Sequence, residues 1–166
     1  LALLTADKHQ DQRPDDWMLE AFRKELAAHH VPFRSEWAYG SIDTARTGSA
    51  WRQFMRLWEQ STEKPDGLLI ADDTLYSEAG MAILSLGIRV PEDLLVVTHA
   101  NAGSEVLYPF PTVRLQFDPT AFAAALVERC LALMEGRPVP QPRPLLPFEL
   151  ICDGPSVSTR EEGDNA

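Results

Sequence analysis

Short aliphatic runs that do not alternate with polar residues recur along the chain, and each is followed by a stretch with helical periodicity. "LALLT" (Leu1 to Thr5), "LLIA" (Leu68 to Ala71) and "LLVVT" (Leu94 to Thr98) are the clearest. A run apolar at every position suits a strand covered on both faces, which is the condition of a parallel sheet between layers of helices. Arg13-Pro14-Asp15-Asp16 opens a helix expected to run to about Ala28, because proline is pre-organised for a first turn and acids there complement the helix dipole. Met18, Phe22 and Leu26 give its buried stripe. "VPFRSEWAYG" reads as a second strand ending near Trp37. A helix from about Thr44 to Gln60 follows, with Trp51, Phe54, Met55 and Trp58 on one face, a spacing that favours packing over a ligand platform.

After "LLIA" and Asp72-Asp73-Thr74, another helix carries Leu75, Ala79, Ala82, Ile83 and Leu86, with Gly80 allowing close approach to the sheet and Gly87 as its cap. "PTVRLQF" alternates and reads as an edge or crossing strand. Asp118-Pro119 starts a helix to Met134 that is apolar on more than one face and so expects two neighbours. A proline-rich connector, "GRPVPQPRPLLP", leads to a last strand, Phe148 to Cys152, and a fraying tail. The expected fold class is α/β: an open, mostly parallel, Rossmann-like sheet with helices on both faces.

Ligands of such sheets bind beyond the carboxyl ends of the strands. The rule nominates Thr5 to Asp7, Trp37 to Tyr39, Asp72 with Asp73, and Thr98 to Asn101. Asp72 and Asp73 together could suit a hard cation or a phosphoryl-transfer site, but the favoured reading is that one of them caps the following helix, with a secondary role in binding. His99 has the chemistry of a general base, yet no nucleophile stands beside it by spacing. Neither a P-loop nor a dinucleotide fingerprint can be written, so no cofactor is expected.

The net charge of −10 and the lack of a Lys/Arg cluster give no electrostatic footprint for nucleic acid. No run approaches the ~20 apolar residues of a spanning helix, so no membrane association is expected. Cys130 and Cys152 have no metal spacing and read as two buried small hydrophobes, compatible with a reducing cytoplasm. The chain starts inside an apolar run, which suggests a fragment whose upstream part is missing.

"PDGLLIADD", "LGIRVPEDLLVV" and "PTVRLQFDP" together resemble the effector-binding core of lactose-repressor (LacI-type) transcription regulators. The resemblance covers roughly Leu1 to Ser156, weakly before Lys64. It implies a periplasmic-binding-protein-like lobe over residues 1–118, a crossover helix over 119–136, a connector and last strand over 137–156, and a flexible tail over 157–166. It further implies no enzymatic activity, a small polar effector, most simply a sugar or derivative, and a homodimer in the bacterial cytoplasm. DNA would be contacted only through an N-terminal domain that this chain lacks.

Departures from the family pattern fall at the binding positions. Thr98-His99-Ala100-Asn101 stands where the family usually reads Gly-Phe-Asp-Asp, with Ala100 in place of an effector-binding acid. Met18 replaces an arginine that Arg13, one turn earlier, would have to supply. Asp73 is kept and Asp72 stands for an asparagine. The expected ligand contacts are therefore Arg13, Trp17, Trp37, Asp72, Asp73, His99 and Asn101. Losing a carboxylate and a guanidinium removes two charge-assisted contacts of roughly 1.5 to 3 kcal/mol each, so either the effector differs or the lobe no longer senses one. Two other classes stay open: a solute receptor of a transport system, and an enzyme using Asp72, Asp73 and His99.

Overall fold

Ala2, Leu3 and Leu4 have no solvent exposure, as a strand hydrogen-bonded on both edges and covered on both faces requires. In the computed structural model, which describes residues 1–6, 17–138 and 147–153, they lie in β1 (Ala2–Ala6). The elements that follow are α1 (Trp17–Ala28), β2 (Ala38–Ile42), α2 (Ser49–Gln60), β3 (Gly67–Ile70) and α3 (Asp73–Ser85). After them come β4 (Leu95–Asn101), β5 (Val113–Phe117), α4 (Pro119–Met134) and β6 (Phe148–Cys152).

One six-stranded sheet has the order β2-β1-β3-β4-β5-β6. All neighbours are parallel except β5 and β6, which are antiparallel. The α/β expectation therefore holds, with helices on both faces. Leu4, Phe54, Leu57, Leu68, Ile70, Leu75, Tyr76 and Ile83 form the larger core between the sheet and α2 with α3. On the opposite face Leu3, Phe22 and Leu26 pack under α1, joined by Met18 and Leu69. Each fully buried large side chain contributes about 1.5–3 kcal/mol relative to exposure. Met18 thus belongs to packing.

Helix ends follow the local chemistry. Asp72 accepts from Thr74 N at 2.9 Å to cap α3, and Asp118 accepts from Thr120 N at 2.8 Å to cap α4, whose first residue is Pro119. Gly87, at φ +67°, ends α3: its N–H reaches Leu84 O, while Ile88 N reaches Ile83 O. A side chain there would be strained in the left-handed region.

Five expectations need correction. β2 begins at Ala38, where the sequence reading ended it near Trp37, because Ser35–Trp37 forms a 3-10 turn and the strand itself is the weakly apolar "AYGSI". α2 starts at Ser49, five residues later than Thr44, because Asp43 Oδ1 accepts from Ala45 N at 3.0 Å and holds a turn. β4 continues through Asn101, paired residue by residue with β5, so Thr98 does not end it. Cys130 and Cys152 are exposed, since neither α4 nor β6 is covered along its length.

Gly80 faces the ring of Phe110, 3.7 Å from where its Cβ would lie, rather than the sheet. Only Ala132 of α4 is buried, while Phe122, Leu126, Val127, Leu131, Leu133 and Met134 are exposed. The two neighbours expected for this helix are not among the described residues. The proline-rich connector falls largely in 139–146, outside the described residues, as does the tail.

Candidate functional site

Successive side chains of a strand alternate in direction, and β4 uses this to divide its polar end. Val96, Thr98 and Ala100 are buried on one face, and Thr98 Oγ1 is spent within the sheet on Ile70 O at 3.2 Å. His99 and Asn101 are half-buried on the other face, at the carboxyl edge. The register pairs Asn101 with Phe117, the last residue of β5. The His99 and Phe117 rings lie 5.1 Å apart at 32°, and Phe148 continues the row 6.0 Å beyond Phe117.

The His99 and Phe117 rings border a cleft of about 390 Å³ whose lining includes His99, Asn101, Phe117, Asp118, Phe122 and Pro147. An apolar wall with a few convergent polar groups is the usual make-up of a small-molecule site. Asn101 Nδ2 donates to Asp73 Oδ2 at 2.9 Å, tying the end of β4 to the first residue of α3. That leaves the Asn101 side-chain Oδ1 as an acceptor. Asp72 is committed to its cap, receiving both the amide and the hydroxyl of Thr74.

Asp72, Asp73, His99 and Asn101 therefore come together at one edge. Trp37 does not join them. It lies at the amino end of β2, 8% exposed, donating Nε1 to Ser61 Oγ at 3.1 Å with the Arg34 guanidinium 4.6 Å over its ring. Trp17 is the first residue of α1, and Arg13 lies outside the described residues.

Phe117, Asp118 and Phe122 are additions to the sequence reading. The strand-end rule applied to "PTVRLQF" would have nominated the first two, whereas Phe122 is brought in only by the turn of α4. A second group was also not foreseen, on the α3 side of β5. Arg114 Nη2 meets Asp153 Oδ1 at 2.5 Å, and its guanidinium lies 4.4 Å from the Tyr108 ring. Tyr76 packs 4.9 Å from Tyr108 and shares a hydrogen bond with Thr112 Oγ1 at 3.0 Å. Burial pushes the Tyr76 hydroxyl up to about 12 and also raises Tyr108, whose shift the nearby Arg114 opposes.

Among the described residues, no group of three or more His, Cys, Asp or Glu is placed to hold a metal ion. No helix among them is long and apolar enough to cross a membrane. What the edge offers is a ring wall, one free amide acceptor and a carboxylate, a set suited to holding a small ligand.

The sequence profile of the periplasmic binding protein-like domain matches residues 1–154. The chain belongs to that family. No curated protein matches it in sequence. Among solved structures it is similar to the lac repressor dimer bound to operator and the anti-inducer ONPF, at 23% identity and TM-score 0.71, covering 90% of this chain and 50% of that one. A LacI family regulator from Lactobacillus casei with bound sucrose matches at 21% identity and TM-score 0.63, over 90% of this chain and 54% of that one. The transcriptional regulator CelR in complex with cellobiose matches at 22% identity and TM-score 0.65, over 90% and 45%. The chain thus spans about half the length of these structures, and it has the fold of the corresponding part of LacI-type regulators.

Proposed function

We propose that this periplasmic-binding-protein-like chain is the effector-sensing and oligomerisation part of a bacterial, cytoplasmic LacI-type transcription regulator, without enzymatic activity. The observation that carries this reading is the cleft at the carboxyl edge of β4 and β5, where His99, Asn101 and the Phe117 ring converge. Sucrose and cellobiose in the structures of similar fold make a sugar or sugar derivative the first candidate. An aromatic wall suits the apolar face of such a ring, and Asn101 and Asp118 suit its hydroxyls. DNA contact would fall to a part of the parent protein outside this chain.

In this reading residues 1–118 act as one lobe, 119–136 cross to a second, and 137–156 return to complete the sheet. The ligand would sit between lobes and shift their arrangement, which requires different affinities for the two arrangements. Homodimerisation is supported by Met81 and Leu84, two exposed apolar residues at i, i+3 on α3.

A second reading, a lobe that has lost its ligand, is favoured by one observation: one oxygen of the Asp73 carboxylate is already engaged by Asn101. Thermal-shift titrations of the protein with sucrose, glucose and cellobiose separate the two. Saturable stabilisation that His99→Ala or Asn101→Ala abolishes supports sensing at this edge. A hit indifferent to both moves the site elsewhere, and no hit across a wider sugar panel favours the second reading.

A further inference from the structure

In a chain of net charge −10, Arg46, Arg52 and Arg56 gather around one cavity of about 290 Å³ at the carboxyl end of β2. Elsewhere Arg34, Arg89, Arg114 and Arg137 each pair with a carboxylate. Among the described residues, Arg46 and Arg56 form no ion pair, and Arg52 reaches only the Thr47 carbonyl, at 3.3 Å. Asp43 is the one acid lining the cavity, and its Oδ1 is engaged by Ala45 N. All three arginines are exposed, so water and salt screen their repulsion, and a bound anion would offset what remains.

The backbone around them is arranged for close approach. Gly48, at φ +77°, has no Cβ where Arg52 Nη1 passes, 3.0 Å from the position one would take. The amides of Gly48 and Ala50 are already taken by Glu78 Oε1 and Oε2, at 2.5 and 2.9 Å. An anion here would therefore be held by the side chains and not by the helix end. Gln53 lines the same cavity, and its Oε1 is buried without a partner. A buried acceptor without a donor is costly, and a turn of the Gln53 side chain toward the cavity would let a ligand hydroxyl satisfy it.

We infer that this cavity is a second ligand site, for a small phosphorylated polyol such as a sugar phosphate. Arg46, Arg52 and Arg56 hold the phosphate, because the guanidinium fork matches its oxygens two at a time. Gln53 accepts from a neighbouring hydroxyl. β2 is three strands from β4, about 14 Å at ~4.8 Å per strand, and the cavity lies on the α2 side of the sheet while His99 and Asn101 face the other. The two sites are thus distinct.

The test is calorimetric titration of the protein with inorganic phosphate, glucose 6-phosphate and glucose, at ionic strength balanced with sodium chloride. Saturable binding of both phosphate compounds is expected, tighter for glucose 6-phosphate, and weakened at least tenfold by Arg46→Ala with Arg56→Ala while far-UV circular dichroism stays unchanged. Gln53→Leu should remove the preference for glucose 6-phosphate over inorganic phosphate, and His99→Ala should leave both affinities as they were. Binding that never saturates, or that is equal in the arginine variant, overturns the site. Binding lost in His99→Ala but kept in the arginine variant assigns the phosphate to the first cleft and equally overturns it. A Gln53→Leu protein that keeps the preference overturns the role given to that amide.

Discussion

Asn101 donates its side-chain amide to Asp73 across 2.9 Å, joining the end of β4 to the start of α3 over a gap of 28 residues in sequence. Both residues stand at the sheet's carboxyl edge, so the bond fixes one side of the cleft as well as the helix start. A hydrogen bond to a carboxylate contributes roughly 1.5–3 kcal/mol when well sheltered, and less at a half-exposed edge. Asn101→Ala is expected to cost about 1 kcal/mol, read as a lower urea midpoint with an unchanged slope. Loss of several kcal/mol would mean that the asparagine holds more than this bond.

The neighbouring acid has a different task. Asp72 caps α3 through Thr74 N, whereas Asp73 already lies inside the helix. Asp72→Ala is expected to destabilise the fold by about 0.5–2 kcal/mol, and Asp72→Asn by only a small part of that. Equal losses in both variants would show that charge, and not the accepting oxygen, is what the position supplies.

Tyr76 sets a limit on the alkaline side. Burial raises its hydroxyl from the ordinary 10 to about 12, so the folded chain holds this proton more tightly than the unfolded chain does. The resulting stability is complete below pH 10 and is lost as pH rises toward 12. Equilibrium unfolding followed across that window should show a decline that Tyr76→Phe reduces. In that variant Thr112 Oγ1 keeps its bond to the Phe110 carbonyl, at 3.1 Å. A decline of equal size in Tyr76→Phe would place the alkaline limit on another group.

The parallel sheet was legible because β1 and β3 are apolar without alternation, a pattern that both-face burial imposes. β2 was misplaced for the opposite reason: at the sheet edge, "AYGSI" needs little apolar surface and carries little signal. The sequence pattern ends β4 at Thr98 because His99 and Asn101 are polar, yet they face the cleft while hydrogen bonds to β5 keep the strand going. Asp73 and Asn101 meet at the carboxyl edge, and His99 lies on the same face of β4 as Asn101, among the positions the strand-end rule nominates. The ring wall escaped because it depends on how α4 leaves β5, and the arginine cavity escaped because residues from a loop and a helix meet there without a motif.

Glu78 is the remaining test of how the layers are joined. It stands in α3, yet its two carboxylate oxygens take Gly48 N and Ala50 N at the start of α2, which has no capping side chain of its own. The amides that begin a helix lack partners within it, and a carboxylate there also complements the dipole. One residue thus replaces a local cap and pins two helices together on the same face. Glu78→Ala is expected to cost about 1.5–3 kcal/mol, more than an ordinary cap deletion, because both oxygens are used. Glu78→Gln, which keeps one accepting oxygen, should recover part of the loss. Hydrogen exchange should locate the weakening at Gly48 and Ala50 before the rest of α2, and protection there equal to that of the parent chain would sink the assignment.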